Sequence, residues 1–230
     1  MGTESGQFQG GNVTGPFPIP VAYGAFYHRL FNTIYIPILT MQGNIFNFTR
    51  PMSLNFGAIG SIIGHELTHG FDSKGRHYDE TGNRTNWWDG DTEKTYLKKA
   101  DCVEKQANNY RVKQIGRNVN GSFTLAENIA DNGGVKEAYN AYLDWIEQYG
   151  EEKTLPELDF SPRQLFWLSY ARTWCEVFSN PAYHRLLDID NHAPGEFRVI
   201  GIAQNSREFS KDFNCGLNSK MNPEKKCVVW

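Results

Sequence analysis

No run in these 230 residues approaches the ~20 consecutive apolar residues that a membrane-spanning helix needs. Basic residues are not in excess either: 23 Lys and Arg stand against 26 Asp and Glu, a formal net charge of −3. With no basic stripe, nucleic acid is not an expected partner, and the lysines of 94–99 read as the solvated face of a helix. Internal repeats are absent, and the only biased stretch is residues 1–11, rich in Gly, Ser and Gln. That opening has neither a charged start nor an apolar run, so it does not read as a signal peptide. Residues 1–20 are expected to be a flexible Gly-rich segment ahead of one domain over 21–230. Cysteine is scarce, with Cys102, Cys175, Cys215 and Cys227 the only four. Together with N-x-S/T sequons at Asn12, Asn47, Asn83 and Asn120, they point to an oxidising, secretory setting.

Hydrophobic residues at 40% and aromatics at 14% are enough to bury a real core in a chain of this length. Periodicity predicts helices near 55–71, 91–110, 124–149, 161–178 and 205–213, and strands near 21–37 and 197–200. The class is therefore mainly α with a small β-sheet, an α+β arrangement. Ser161-Pro162-Arg163-Gln164 spells a capping box with proline at the first helical position, and Gly150 is a plausible end to the helix before it. The stretch 72–91, with Trp87 and Trp88, shows no pattern.

His65-Glu66-Leu67-Thr68-His69 carries the chemistry. Residues four apart share a helical face, so both imidazoles can reach one metal ion. Glu66 lies about 100° round the helix, where it can reach a water beside the metal without itself becoming a ligand. Phe56, Ile59, Ile63 and Leu67 follow the helical period and predict a buried helix. Gly57, Gly60 and Gly64 would each weaken it by roughly 1 kcal/mol relative to alanine. Such a helix persists where packing offsets the loss, and the glycines would let another element approach closely.

Catalytic zinc usually takes three protein ligands and leaves one position open. A third histidine at the H-E-x-x-H-x-x-G-x-x-H spacing is excluded, because the required glycine and histidine positions hold Asp72 and Gly75. The glutamate of zinc aminopeptidases would fall at Trp88, and only Glu93 lies near. The better candidate is Glu127, in Thr124-Leu125-Ala126-Glu127-Asn128-Ile129-Ala130-Asp131-Asn132-Gly133-Gly134, with Asp131 on the same face to hold the distal N–H of a ligand histidine. Thr124 to Glu127 equally spells a capping box, and spacing alone leaves both readings open. Asp131 and the paired glycines favour the metal.

Ile63-Gly64-His65-Glu66-Leu67-Thr68-His69-Gly70-Phe71-Asp72 followed by Glu127-Asn128-Ile129-Ala130-Asp131-Asn132-Gly133-Gly134 resembles the neprilysin and endothelin-converting-enzyme family of zinc endopeptidases. So do Phe197-Arg198-Val199-Ile200-Gly201, Gln204-Asn205-Ser206 and the closing Asn222-Pro223-Glu224-Lys225-Lys226-Cys227-Val228-Val229-Trp230, and the match runs over about 21–230. The resemblance implies a zincin fold with a thermolysin-like catalytic domain. It implies zinc on His65, His69 and Glu127, with Glu66 as general base. It makes Asp72 and Asp131 the carboxylates that orient the histidines, with Asp131 counted in the catalytic apparatus. It makes His192, in Asp190-Asn191-His192, the oxyanion stabiliser, with Asp190 beside it, and gives Arg198 the substrate backbone. Ile62 and Trp174 would line the pocket for a bulky hydrophobic residue after the cut.

The family grips substrate along an edge strand reading Asn-Ala and two aromatics, and here the matching residues are Gly24-Ala25-Phe26-Tyr27. The asparagine side chain is missing, so hydrogen bonds each worth about 1 kcal/mol are lost. The resemblance also implies a Cys102–Cys227 disulfide and places the partners of Cys175 and Cys215 in an amino-terminal helical domain, which would cover the active-site cavity. The expected function is zinc-dependent cleavage of extracellular peptides on the amino side of hydrophobic residues, at the cell surface or outside it. The alternative is an impaired fragment or binding protein that keeps the fold.

Overall fold

The computed structural model describes residues 24–230; the Gly-rich segment and Asn12 lie outside the described residues. A short hairpin comes first, β1 (Phe26–His28) paired antiparallel with β2 (Thr33–Tyr35), with the Phe26 and Tyr35 rings stacked at 5.2 Å. Next, α1 (Met52–Asn55), a π-helical stretch (Phe56–Gly60) and α2 (Ser61–Thr68) follow without a break, every junction residue having helical angles. Both oxygens of Glu152 accept from the Met52 and Ser53 amides and satisfy the first turn. Then come α3 (Gly90–Asn108), a second hairpin of β3 (Arg111–Val112) and β4 (Arg117–Asn118), and the long α4 (Leu125–Tyr149). The chain closes with α5 (Pro162–Thr173), α6 (Asn180–Ile189), α7 (Gly195–Asn205) and α8 (Arg207–Asp212). Among the described residues no helix is long and apolar enough to cross a membrane.

Helix α4 is the axis of the molecule. One side of it packs Val135, Ala138, Tyr139 and Tyr142 against Phe166, Trp167 and Tyr170 of α5 and Ile202 of α7. Its first turns pack Ile129 against Tyr96, Ala100 and Val103 of α3 and Val229 of the carboxy-terminal tail. Across its first half runs α2, and the glycines explain how. A Cβ on Gly64 would lie 2.4 Å from the Gly134 carbonyl oxygen, and one on Gly134 would lie 2.2 Å from the His65 amide nitrogen. Gly57 meets the Phe166 carbonyl in the same way, but Gly60 has no neighbour closer than 3.5 Å and makes no close approach.

Two expectations are corrected, and one helix lies where no element was expected. Residues 197–200 are helical, inside α7: Val199 and Ile200 look like strand formers, but burial falls on Phe197, Gly201 and Asn205, one helical face. Helix α6 was unforeseen, although Pro181 in its first turn was an available signal. On α2, Leu67 is 49% exposed, and the buried positions are Ser61, Gly64, His65, Glu66 and Thr68. The inward face of this helix is set by close backbone approach and polar chemistry, not by apolar periodicity. The capping box at Ser161 is present with both of its hydrogen bonds, and Gly150 ends α4 at φ +88°.

Cys102 and Cys227 are bonded, closing a loop of 125 residues and clipping the tail onto α3, whereas Cys175 and Cys215 are free. Replacing both Cys102 and Cys227 with alanine is expected to cost about 2–5 kcal/mol. A thermal melt should register this as a drop of roughly 5–15 °C.

Candidate metal centre

The glycine crossing places one turn of α2 directly over the first turns of α4. His65 and His69 face down from α2, and Glu127 and Asp131 face up from α4. Glu127 Oε2 lies 3.3 Å from His65 Nε2 and 3.2 Å from His69 Nε2, and the two Nε2 atoms are 3.0 Å apart. Four ligands set tetrahedrally at about 2.0–2.1 Å from one zinc ion stand about 3.3–3.4 Å from each other. The three donor atoms therefore have the spacing that a single ion requires. They form the one cluster of this kind among the described residues.

The far side of each ring is also held. His65 Nδ1 pairs with Asp131 Oδ1 at 2.8 Å and His69 Nδ1 with Asp72 Oδ2 at 2.6 Å. A carboxylate only accepts, so each Nδ1 carries the hydrogen and each neutral ring turns its Nε2 lone pair inward. Two lone pairs 3.0 Å apart repel unless a cation stands between them. Oε2 of Glu127 reinforces the point. It is buried and faced by three ring nitrogens, His192 Nε2 also at 3.2 Å, yet none is aligned to donate to it. An orphaned carboxylate oxygen between two lone pairs fits a divalent ion.

The electrostatics agree. Burial works against an ionised Glu127, but the facing imidazoles outweigh it and hold the carboxyl well below the usual range. Burial likewise disfavours a charged His69, yet Asp72 and Glu127 lift it to about 10. The same negative field that would hold a proton on these rings holds a metal, and the two compete for one lone pair. Glu66 is 4% exposed, and its Oε2 has no hydrogen-bond partner. Burial pushes its carboxyl up, while the neighbouring imidazoles pull it down by less. A carboxyl raised in this way sits nearer the pH at which it must take and return a proton.

The capping reading of Thr124 is overturned. Its hydroxyl donates to the Asn120 carbonyl and makes no cap, which leaves Glu127 to the centre. On the loop after α6, Asp190 Oδ1 accepts from both the backbone N–H and Nδ1 of His192, at 2.9 and 2.8 Å. Arg198 donates from Nε and Nη2 to the two oxygens of Asp131, at 2.7 and 2.6 Å, and its guanidinium stacks 3.5 Å from the Trp174 ring centre. Burial opposes the charge on Asp131, but Arg198 and His65 hold it well below the usual range.

Gly24 is exposed and Ala25 half-buried at the start of β1, which packs beside α2, and Ile62 is half-buried on α2 itself. Gly24 has φ +98°, a conformation that side-chain-bearing residues rarely adopt, so an asparagine there would be strained. The sequons at Asn47, Asn83 and Asn120 are all exposed. Two further residues were not singled out from sequence, one at the centre and one at the start of α7. Asn191 donates to Glu127 Oε1 at 2.6 Å, and Glu176 accepts from the Gly195 amide at 2.7 Å where α7 begins. Only adjacency to His192 could have flagged the first.

A helix bearing two inward histidines, crossed by a second helix bearing a glutamate, defines a zincin-type metallopeptidase fold. The profile of Peptidase family M13 matches residues 24–229, and the chain belongs to that family. It is 48% identical over 211 residues to Neprilysin-2 of Drosophila melanogaster and 46% identical to the endothelin-converting enzyme homolog of Locusta migratoria. In each case 92% of this chain is covered, but it spans only 27% and 29% of those proteins. Among solved structures it is similar to a Mycobacterium tuberculosis zinc metalloprotease in complex with inhibitor. That likeness has a TM-score of 0.86 at 28% identity, covering 93% of this chain and 33% of that one.

Proposed function

We infer that this chain is the catalytic part of a zinc-dependent endopeptidase that cuts extracellular oligopeptides on the amino side of hydrophobic residues. The observation that carries the reading is the convergence of His65, His69 and Glu127 on one point, with the partnerless Glu66 carboxyl close by. When bound there, zinc supplies Lewis acidity, which acidifies a water and polarises the peptide carbonyl. Glu66 takes the proton of the attacking water and hands it to the leaving amine. Burial disfavours a charged His192, but Glu127 and Asp190 raise its pKa. The imidazolium, its Nδ1 held by Asp190, therefore donates from Nε2 to the oxygen on which charge develops, an effect worth about 3 kcal/mol per donor. Arg198 spends Nε and Nη2 on Asp131, which reserves Nη1 for a substrate carbonyl. Ile62 and Trp174 shape the pocket for the hydrophobic residue after the cut, and Ala25 offers backbone to the extended peptide. Exposed sequons and the Cys102–Cys227 bond support a secreted or cell-surface setting.

Stripping metal with a strong chelator should abolish cleavage of a fluorogenic hydrophobic peptide, and added zinc should restore it. A folded, zinc-loaded chain that turns over no peptide would overturn the assignment and favour a binding protein on the same scaffold.

A further inference from the structure

Both oxygens of Glu127 are assigned, and to different partners. Oε2 faces the inward nitrogens of His65 and His69 and receives no aligned hydrogen bond. Oε1 accepts from Asn191 Nδ2 at 2.6 Å. Because a carboxylate cannot donate, the Asn191 amide must present its NH2 side to it. The turn in which Asp190 holds the backbone and ring of His192 also fixes the residue between them, so Asn191 reaches Glu127 from a constrained loop.

We propose that Asn191 is a positioning residue that holds Glu127 as a one-oxygen metal ligand and so keeps a coordination position open for water. A glutamate free to rotate can offer both oxygens to the ion. With two imidazoles, that would fill the four positions zinc favours and leave none for the reacting water. Asn191 prevents this by occupying Oε1 with a neutral donor, which adds no charge to a crowded site. Removing the donor also leaves a buried acceptor unpaired. The inference rests on the metal reading above and adds to it the specific division of the carboxylate.

The test uses wild type, Asn191→Ala and the near-isosteric Asn191→Asp. Zinc affinity is read by competition with a chromophoric chelator, and coordination by the visible spectrum of the cobalt-loaded protein. The expected result is a zinc Kd raised about 10–100-fold in Asn191→Ala, with Asn191→Asp weaker still because it sets a second carboxylate against Oε1. The cobalt bands should also shift, because a second carboxylate oxygen takes the place of water, while circular dichroism shows the metal-free variants still folded. Variants that bind zinc within about two-fold of wild type, with unchanged cobalt spectra, would overturn the proposal. A wild-type chain that binds no zinc would overturn the metal reading as well, a result distinct from tight wild-type binding with indifferent variants.

Discussion

Glu66→Gln is expected to lower peptide hydrolysis by about 10²–10⁴-fold while leaving zinc content unchanged. The substitution preserves shape and nearly preserves volume, and it removes only the ability to accept a proton. Glu66 is buried, its Oε2 has no hydrogen-bond partner, and it is not among the three residues whose donor atoms converge. Folding and metal binding therefore lose little when its charge goes, and burial of a charge without a partner is relieved. Steady-state kinetics with metal analysis on the same samples reads both halves of the prediction. Equal rates in the two proteins would remove Glu66 from the reaction. Lost zinc would instead place it in the metal-binding set.

Gly134→Ala is expected to be strongly destabilising. Its Cβ would stand 2.2 Å from the His65 amide nitrogen and 2.6 Å from the Gly64 carbonyl carbon, and both are backbone atoms that no rotamer change can move. Overpacking commonly costs about 1–3 kcal/mol, and this contact belongs at or above the upper end. Thermal melting should fall by roughly 6–12 °C. Because α2 must lift away from α4, the two histidines would also separate from Glu127, so zinc affinity should fall with stability. Gly90→Ala is the control, since nothing lies within 4 Å of the added carbon. If both variants melt together, the crossing is not where the fold is tight.

These two residues also mark how far sequence reasoning reaches. The donors of the centre are local facts. His65 and His69 share a face because they are four apart, Glu127 and Asp131 do so for the same reason, and Gly64 and Gly134 announce that something comes close. The Ser161 capping box and the end of α4 at Gly150 were equally readable, because caps are made by neighbours in the chain.

Where a residue's role depends on what it meets, the pattern failed. Leu67 has the right period for burial and faces solvent, because close backbone packing and polar donors occupy the inward side of α2. Val199 and Ile200 favour strands and lie in a helix, because α7 is held by packing of Phe197 and by Glu176 at its start. Thr124 and Glu127 have the spacing of a cap, yet the glutamate turns to the imidazoles.

The sequence by itself determined the chemistry available here: two imidazoles on one helical face, a carboxylate beside them, and glycines that permit contact. Tertiary structure decided which distant carboxylate meets the two imidazoles, which of its oxygens faces their inward nitrogens, and that Asn191 bonds the other. The reason is physical. Helical periodicity relates residues within a turn or two, whereas bringing position 127 to position 65 depends on where two helices can cross, and side-chain volumes throughout the core settle that.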